Sequence, residues 1–567
     1  MPETKKETAA EKVERLKREK NAWECIDEIR AFARNGWESI PPEWLGTYFR
    51  TWGIYTQGDG GGALSGPGGQ GKAVPYFMVR IRIPNGILTS AQARAIATLT
   101  EKHARGIADI TVRQNFQLHW VAIESIPEIL ETLHQHGLTT TGACGDVVRN
   151  VVGCPVAGVD RDEIVDASPL VREATQLFVG NPEFYNLPRK FKISITGCRV
   201  WCSYPEINDI GLTATLRRRW TGEELGFSVR VAGGLSAEPH LAKRLNAFVT
   251  WNQVIPVVKG IAEIFRDADV LRKSREAARL KYLFLRHGWT ADSFLDELQS
   301  RIGFKLDPAE PDHAPEDVIR DHVGVHEQKQ FGRYYVGASV LRGRMTASQL
   351  QAAANLAQEF GHGEIRTTAM QNLLIPNVAK EQVSVVTNRL ALAGLATQGS
   401  AFQRGTIACT GTEFCKIAIT ETKGFARWLT EELDQRLPGF EQQLKLHVTG
   451  CPNSCGQHWI ADIGLEGKKL KVNGKLTDAY YFCVGGAVGK HQAIARPVGY
   501  RCLASDVPDA IERLLNQYRI FKFPGENLRE FFTRHEAEEI RGWLAGEFVP
   551  PVERDAPTGR VPHGVEG

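Results

Sequence analysis

The 567-residue chain has no apolar run that approaches the roughly 18 residues needed to span a bilayer. Its opening stretch, MPETKKETAAEKVERLKREK, has no apolar segment of the kind that a secretory signal carries, so we expect a cytoplasmic protein. Strong charge of one sign is also lacking: the net charge is +3, which argues against nucleic-acid binding on bulk charge. Eleven cysteines, an odd number, favour metal or redox use over a disulfide framework.

Four of these cysteines form two pairs in the second half. Cys409 and Cys415 lie in CTGTEFC, and Cys451 and Cys455 lie in TGCPNSCGQ. Thiolates suit zinc, copper(I) and the iron of iron–sulfur clusters. Four thiolates from two loops close a tetrahedral zinc site or hold a cubane cluster with one thiolate per iron. The first pair is wider than a typical zinc knuckle, which favours the cluster, and unrelated buried thiols are the alternative.

The chain also contains an internal duplication. VPYFMVRIRIPNGILTSAQARAIATL and DITVRQNFQL, from about Tyr76, correspond to YYVGASVLRGRMTASQLQAAANLAQEF and EIRTTAMQNLLI. Each copy predicts the order strand, turn, helix, strand, helix, which describes a small α+β unit. Five pairs share an offset of 257 residues: Gly86/Gly343, Thr89/Thr346, Gln92/Gln349, Gln114/Gln371 and Asn115/Asn372.

A second repeat follows each α+β unit. The TGC segment with Cys198 and Cys202 precedes the TGC segment with Cys451 and Cys455 by 253 residues. The protein is therefore a duplicated two-module unit whose halves meet near residues 300–330.

The first half lacks part of the cysteine set. At the offset of 253, Val156 and Asp162 stand opposite Cys409 and Cys415. We therefore interpret the first-half cysteine pair as the remnant of a ligand set, with a redox role as the alternative.

Basic residues concentrate in the first half. Arg80 in FMVRIRIPNG, Arg149 in DVVRNVVGCP, and Lys190 and Lys192 in LPRKFK stand in or beside apolar strand segments. Same-parity residues of a strand share a face, so cations there indicate an anionic ligand, although solvated charge is the alternative for any single residue. Arginine's fork suits carboxylates, and lysine supplies point charges or protons. The first and third of these segments add Arg82 and Arg189, and TVRQNFQLHW adds Arg113.

A glycine-rich segment, Gly58–Gly71, contains GPGGQGKA, which nearly matches a phosphate-binding loop. Ala73 replaces the hydroxyl that would bind magnesium, and a strand rather than a helix follows. We therefore predict a flexible surface loop.

The paired cysteine motif, TVRQNFQLHW, DVVRNVVGCP and LPRKFK together resemble the sirohaem- and [4Fe–4S]-containing assimilatory nitrite and sulfite reductases, over about residues 12–545 and including the duplication. The resemblance implies an α+β fold in which two ferredoxin-like units form a central domain, flanked by two α/β domains that hold sirohaem and the cluster. The expected segments are 1–75 (helical extension and glycine-rich loop), 76–140 (first ferredoxin-like unit), 141–325 (sirohaem and anion-binding α/β domain), 326–398 (second ferredoxin-like unit), 399–548 (cluster and sirohaem domain) and 549–567 (disordered tail).

The resemblance also implies roles for individual residues. The cluster ligands are Cys409, Cys415, Cys451 and Cys455, and Cys455 also bridges the cluster to the sirohaem iron. The cations around the bound oxyanion, which we take as catalytic, are Arg80, Arg149, Lys190 and Lys192. The segment that cradles the macrocycle is matched by Thr111, Arg113, Asn115, Gln117 and His119, with Gln371, Asn372 and Asn453 as further matches.

The implied reaction is a six-electron reduction of sulfite to sulfide or of nitrite to ammonia. Ferredoxin is the expected donor, since no G-x-G-x-x-G opens a strand–helix unit for a nicotinamide or flavin. Lys192 stands where the family's nitrite enzymes often have Asn, and Tyr55 with Cys154 resembles a covalently joined pair of some sulfite reductases. These features favour sulfite slightly, whereas PVAGVDRDEIVDASP and PEINDIGL look nitrite-type.

Two basic clusters, Arg217–Arg219 and Lys468–Lys469, are candidate docks for an acidic ferredoxin, with ordinary surface charge as the alternative. A hypothesis of another class is a non-catalytic zinc protein with a nucleic-acid-binding groove. The net charge and the 36-residue gap between the cysteine pairs argue against it, so we expect neither nucleic acid nor membrane as a partner.

Overall fold

The structure, a computed structural model, describes residues 7–66, 69–220, 222–316 and 319–547. The disordered tail predicted for residues 549–567 lies outside these ranges. Within them, no helix combines the length and the apolar character that crossing a bilayer requires.

The amino-terminal extension is helical, as predicted, but the helix is interrupted between residues 20 and 25. Lys17 Nζ donates a hydrogen bond to the Leu187 carbonyl at 2.9 Å, and the Trp23 indole donates to the Asn181 carbonyl at 3.0 Å. These contacts pack the extension on the body of the protein. Its helices are α1 (Ala9–Glu19), α2 (Ile26–Asn35), α3 (Pro42–Gly46) and α4 (Tyr48–Thr51).

The first ferredoxin-like unit places two strands after its first helix, where the sequence predicted one. Thr89 caps that helix: its hydroxyl accepts from the Gln92 amide, and the Gln92 side chain accepts from the Thr89 amide. The elements are β1 (Ile54–Gly58), β2 (Ala73–Ile81), β3 (Ile87–Thr89), α5 (Ser90–His103), β4 (Ile107–Ile110), β5 (Phe116–Val121) and α6 (Ile126–Gln135).

The first α/β domain packs helices against a four-stranded sheet around buried residues such as Phe191, Val229 and Ile261. Its elements are α7 (Ser168–Phe178), β6 (Ile193–Thr196), β7 (Ile210–Arg219), β8 (Gly222–Val231), β9 (Lys243–Thr250), α8 (Val254–Arg266), α9 (Lys281–Arg286) and α10 (Ala291–Ile302).

The second half repeats this order. Its ferredoxin-like unit consists of β10 (Gly324–Glu327), β11 (Arg333–Ala338), β12 (Arg344–Thr346), α11 (Ala347–Phe360), β13 (Glu364–Thr367), β14 (Leu373–Ala379) and α12 (Val383–Leu392). Its α/β domain consists of α13 (Ala401–Gly405), β15 (Thr406–Ala408), α14 (Lys423–Arg436), β16 (Leu446–Thr449), β17 (Ile463–Val472), β18 (Lys475–Val484), β19 (Arg496–Leu503), α15 (Val507–Phe521), α16 (Leu528–Arg534) and α17 (Ala537–Ala545).

The two ferredoxin-like units exchange a short strand. β3 pairs with β13 of the second unit, and β12 pairs with β4 of the first, so the sheets run β1-β2-β5-β4-β12 and β10-β11-β14-β13-β3. One hydrophobic core includes Val79 and Leu118 of the first unit and Leu350 and Ile375 of the second. The two units therefore form one central domain, and the predicted duplicated α+β architecture is confirmed.

The duplication extends to strained turns of the backbone. Non-glycine residues rarely adopt positive φ, yet the described residues include pairs of them separated by 257 or 253 positions. The pairs are Asn85/Arg342, Arg105/His362, Gln114/Gln371, Trp120/Asn377, Trp201/Ser454 and Tyr204/Gln457.

Candidate active site

The two predicted cysteine loops of the second half begin at the same edge of a sheet. β15 and β16 are parallel neighbours, with Ile407 opposite His447 and Ala408 opposite Val448. Because the carboxyl ends of parallel strands meet at one edge, Cys409 after β15 lies beside the loop that carries the second cysteine pair.

Backbone donors surround the first of these cysteines. The Gly450 amide donates to Cys409 Sγ at 3.2 Å, while the Cys409 amide donates to the Val448 carbonyl at 3.1 Å. In the second loop, Asn453 Nδ2 lies 3.5 Å from Cys451 Sγ. Donors of this kind stabilise thiolate ligands and orient them.

The four thiols influence one another. Burial raises the pKa of Cys415 to about 12 and also raises the pKa values of Cys409 and Cys451, and the nearby charge of Cys455 adds to each effect. Cys455 itself is exposed. A cationic iron cluster would reverse these shifts, since metal coordination deprotonates thiols.

The spacing of the four sulfurs fits a cluster better than one ion. Among the described residues, Cys154, Cys198 and Cys202 are the only Cys, His, Asp or Glu group of three or more whose ligand atoms all lie within 4.8 Å of one another. The four second-half sulfurs are therefore spread more widely, as a cubane with one thiolate per iron requires.

The glycine-rich segment covers the first cysteine loop. The Gly58 amide donates to Phe414 O at 3.0 Å, and the Ala63 amide donates to Ala418 O at 2.7 Å. Gly62, at φ +58°, approaches so closely that a Cβ there would lie 2.2 Å from Ala418 O. Part of the segment lies at the surface, as predicted, since Asp59, Gly60 and Leu64 are exposed. Its glycines also permit backbone contact with the cluster domain, which the sequence did not predict.

The predicted cations of the first α/β domain come together because two segments run side by side. The Arg149 amide donates to Phe191 O at 2.8 Å, and the Phe191 amide donates to Val147 O at 3.1 Å. Lys190 and Lys192, on either side of Phe191, are therefore neighbours of Arg149.

Arg80 reaches the same place from the ferredoxin-like unit. Its Nη1 lies 3.5 Å from the Ala143 carbonyl oxygen, and Arg149 Nη1 lies 3.4 Å from the same oxygen. The two guanidinium groups thus converge from different domains.

The lysines face the second half of the protein. Burial lowers the pKa of Lys190 to about 7, against an opposing effect of the charge of Cys455. Burial lowers the pKa of Lys192 well below its ordinary value, and Lys190 and Arg279 add to this effect. Lys190 and Cys455 therefore lie within electrostatic reach of each other.

This group of cations is not neutralised by acids. In the described ranges, none of its members has an Asp or Glu partner at ion-pair distance: Arg80, Arg82, Arg113, Arg149, Lys190 and Lys192. Positive charge without an acidic partner is costly to hold away from water, so this group of cations favours an anionic occupant. A polycarboxylate macrocycle with a bound oxyanion fits this preference.

An ion pair next to these cations was not predicted from the sequence. Asp209 accepts from the Lys192 amide and from Arg279 Nη2, both at 2.8 Å. In the second half, Asp462 accepts from the Lys445 amide at 2.6 Å. The repeated Asp-Ile-Gly-Leu segment was the available signal, but its partner Arg279 lies too far along the chain to be predicted from spacing.

The first part of the predicted macrocycle segment forms a tight turn. Thr111 Oγ1 accepts from the amides of Arg113 and Asn115. The Arg113 guanidinium donates to Asn208 Oδ1 at 2.7 Å and to Asn150 O at 2.6 Å.

Deeper residues of that segment are buried. Asn115, Gln117 and His119 are 3%, 5% and 0% exposed. His119 Nε2 lies 3.1 Å from Asp109 Oδ2, and its ring stacks on Phe414 of the cysteine loop at 3.8 Å. His119 therefore supports the cluster loop, and the contact of these three residues with the macrocycle stays a prediction.

Gln371 and Asn372 are also structural. Gln371 Nε2 donates to Ala408 O at 3.2 Å, and its Oε1 accepts from the Ala408 amide at 3.1 Å, just before Cys409. Asn372 Oδ1 accepts from the Val340 amide at 3.0 Å. Both residues are 4% exposed, and Gln371 clamps the cluster loop to the central domain. The predicted contact of Gln371 and Asn372 with the cofactor stays a prediction.

The same clamp in the first half changes the predicted alignment. Gln114 Nε2 donates to Gly153 O at 3.2 Å, and its Oε1 accepts from the Gly153 amide at 3.3 Å, just before Cys154. The parallel bridge Val152–Ser194 likewise matches Ile407–His447.

These contacts define an offset of 255 for this loop. The counterparts of Cys409 and Cys415 are therefore Cys154 and Asp160, and the prediction of Val156 and Asp162 is wrong. The first half lacks one cysteine of the set, where the sequence predicted two missing.

In the structure, Cys154 and Tyr55 have different neighbours. The Cys154 thiol lies with Cys198 and Cys202, whereas Tyr55 lies beside Arg80, whose guanidinium carbon is 6.0 Å from the tyrosine ring centroid. Arg80 Nη1 in turn lies 2.9 Å from Cys144 Sγ. Arg80 therefore adjoins both Tyr55 and Cys144, whereas Cys154 lies in the group of three thiols.

Acids neutralise much of the two candidate docks. Arg217 contacts Glu224 and Asp307, both at 2.8 Å, and lies over the Phe248 ring. Lys468 pairs with Glu466 at 2.5 Å, and Lys469 pairs with Asp478.

Family models match both modules twice. The nitrite and sulphite reductase 4Fe-4S domain matches residues 144–306 and 399–549, and the nitrite/sulfite reductase ferredoxin-like half domain matches residues 70–136 and 326–393.

Whole-length relatives agree. An assimilatory ferredoxin-dependent nitrite reductase of Haloferax mediterranei is 36% identical, over 93% of this chain and 92% of that protein. A sulfite reductase (ferredoxin) of Mycobacterium tuberculosis is 34% identical, over 93% of this chain and 95% of that protein. The solved structure of M. tuberculosis NirA superposes with a TM-score of 0.88 at 31% identity, over 95% of this chain and 98% of that chain.

The chain belongs to the nitrite and sulphite reductase family. It is an oxidoreductase with sirohaem and a [4Fe–4S] cluster as cofactors, and the cysteine loops and the unneutralised cations fit these two groups.

Proposed function

We propose that the chain reduces sulfite to sulfide, taking electrons from ferredoxin, in the cytoplasm. The observation that carries the proposal is the pair Lys190 and Lys192 beside Arg149, with Lys190 within electrostatic reach of Cys455. Two lysines and a guanidinium around one position give more proton donors than a site with Asn in place of Lys192.

When bound, sirohaem and the cluster supply electrons one at a time; Cys409, Cys415, Cys451 and Cys455 are the residues that would hold the cluster. Arg80 and Arg149 bind and orient the oxyanion through their guanidinium groups. Lys190 Nζ, with a pKa of about 7, gives up a proton readily near neutral pH, so it can protonate a leaving oxygen. The pair Asp209–Arg279 holds the Lys192 backbone in place.

Tyr55 and Cys144 give a second reason to favour sulfite. Both adjoin Arg80, so we infer that a joined Tyr/Cys pair of the kind that the resemblance implies would form between Tyr55 and Cys144, in place of Cys154. Intact mass of the protein, with Cys144→Ala as control, would reveal a crosslink as the loss of two hydrogens.

Nitrite is the second candidate, because named relatives of similar identity act on each anion. Steady-state rates with both anions and one reduced ferredoxin decide between them. We expect a higher kcat/KM for sulfite; a higher value for nitrite overturns the choice of anion and leaves the site intact.

Ferredoxin docking by the basic clusters is a separate proposal. Arg218 is exposed and, in the described part of the chain, has no acidic partner at ion-pair distance. We expect Arg218→Glu to raise the KM for ferredoxin at low salt and to leave the KM for the anion unchanged. Turnover that does not weaken with added salt would contradict electrostatic docking.

A further inference from the structure

A second group of thiols lies outside the predicted cluster site. The Sγ atoms of Cys154, Cys198 and Cys202 all lie within 4.8 Å of one another, and the three side chains are buried. Cys198 Sγ and Cys202 Sγ are 3.7 Å apart. A single free cysteine is often buried as a small apolar residue. Three of them at one buried point need an explanation beyond packing.

The spacing fits a single ion. A tetrahedral zinc with Zn–S bonds of about 2.3 Å holds its sulfurs about 3.8 Å apart. A cubane places each thiolate on a different iron, which requires wider spacing than that between Cys198 and Cys202.

The group occupies the place of the cluster ligands in the other half. Cys154, Cys198 and Cys202 correspond to Cys409, Cys451 and Cys455. Asp160, the counterpart of Cys415, is held by Arg320 through two contacts of 2.8 Å. An ion pair therefore occupies the place that the fourth cluster ligand has in the second half, and three thiols remain.

The surroundings offer the donors that a thiolate site needs. The Cys202 amide and the Thr196 hydroxyl donate to Cys198 Sγ at 3.4 and 3.3 Å. His322 is 2% exposed, and neither of its ring nitrogens has a hydrogen-bond partner. Its ring lies 6.1 Å from that of Tyr335, which packs in the same cluster of buried residues as the three thiols.

We propose that Cys154, Cys198 and Cys202 bind one zinc ion as thiolates and that His322 supplies the fourth ligand. The His322 nitrogens are not among the ligand atoms that lie within 4.8 Å of one another, so the proposal includes a rotation of the His322 ring toward the sulfurs when zinc binds. Loading releases the three thiol protons to water, and Zn²⁺ with three thiolates leaves one net negative charge near Arg320. The ion ties together three loops: those after Gly153, after β6 and before β10.

Metal analysis of the purified holoprotein tests this proposal. We expect one zinc per chain in addition to the iron of the cofactors. Cys154→Ser and Cys198→Ser should each remove about nine-tenths of the zinc, because a site with two thiolates binds far more weakly. Iron content and the sirohaem spectrum should stay unchanged, which also shows that the variants are folded. Cys483→Ser, which alters a buried thiol outside the group, is the matched control.

X-ray absorption and a thiol titration complement the metal analysis. X-ray absorption at the zinc edge should show three sulfur neighbours at about 2.3 Å and one nitrogen at about 2.0 Å, and His322→Ala should remove the nitrogen. A mercurial titration should release zinc to a chelating dye.

Four results would overturn the proposal. They are a wild-type protein without zinc, zinc content that is indifferent to Cys198→Ser, a Cys198–Cys202 disulfide found by peptide mapping under non-reducing conditions, and iron beyond that of the known cofactors that disappears in Cys154→Ser.

Discussion

The two halves share one backbone design and differ at a few side chains that decide what each half holds. In both halves a glutamine, Gln114 or Gln371, clamps a loop. In both halves an aspartate, Asp209 or Asp462, accepts from the amide of the lysine that precedes a strand. At the clamped loops, the second half has Cys415 where the first has Asp160. One exchange of a thiol for a carboxylate therefore suffices to remove a cluster ligand while the fold persists.

The two halves also differ in their basic residues, and here it is the first half that keeps charge without an acidic partner. At the offset of 255, Arg149 corresponds to Arg404, which is paired with Asp321 at 2.8 and 2.9 Å. Arg149 has no acidic partner in the described ranges, so its charge is left for an anion. The comparison fits the proposal that the second half holds the cluster and the first half supplies the charge that binds the anion.

The largest effect should come from the matched cysteines at the ends of the two TGC segments. Cys455→Ser should disturb both the cluster and the sirohaem spectrum and reduce turnover by more than about a hundredfold, since metal ligands act as a unit. Cys202→Ser should leave iron, sirohaem and turnover near wild type. Optical spectra and iron analysis measure both; an unchanged sirohaem spectrum in Cys455→Ser would refute the bridging role.

A smaller effect is expected from the anion-binding side. Lys192→Asn removes a charge-assisted contact worth about 1.5–3 kcal/mol, so the KM for sulfite should rise about ten- to a hundredfold. Both cofactors should remain bound, because Lys192 lies in the first half and ligates neither. Kinetics with both anions check the change in preference, and Lys192→Arg, which keeps the charge, should lie between the two. Equal changes for sulfite and nitrite would contradict a role in selecting the anion.

The glutamine clamps allow a direct comparison of the halves. Gln371→Ala and Gln114→Ala each leave a buried amide and a carbonyl unpaired, which costs about 1–3 kcal/mol. Both should lower the thermal unfolding midpoint, but Gln371→Ala alone should speed iron loss on dilution into chelator. Similar iron loss in both variants would mean that the clamp does not act through the cysteine loop.

The smallest effect should come from the glycine-rich cover. Gly62→Ala places a Cβ 2.2 Å from Ala418 O, whereas Gly60→Ala, also at positive φ, meets nothing within 4 Å. Both carry a backbone penalty of about 1–2 kcal/mol, so the difference between them isolates the contact with the cluster loop. We expect faster loss of cluster absorbance in air for Gly62→Ala only. Equal rates would assign the effect to backbone strain.

Much of this organisation was predictable because its signals are local or repeated. The cysteine loops, the helix caps at Thr89 and Thr346 and the turn at Thr111 depend on residues a few positions apart. The duplication was visible as constant offsets, and family membership followed from motifs of fixed spacing.

The sequence by itself determined which residues are available as thiolates and cations. The tertiary structure alone decided which of them meet. Strand pairing shows that the loop with Cys154 corresponds to the loop with Cys409 at an offset of 255. This offset is two residues longer than the 253 of the TGC segments, so the sequence comparison did not identify Cys154 as the counterpart of Cys409. The strand exchange, the glycine cover and the approach of Lys190 to Cys455 join residues more than a hundred positions apart. Contacts at such distances arise from packing of whole domains, which no local pattern records.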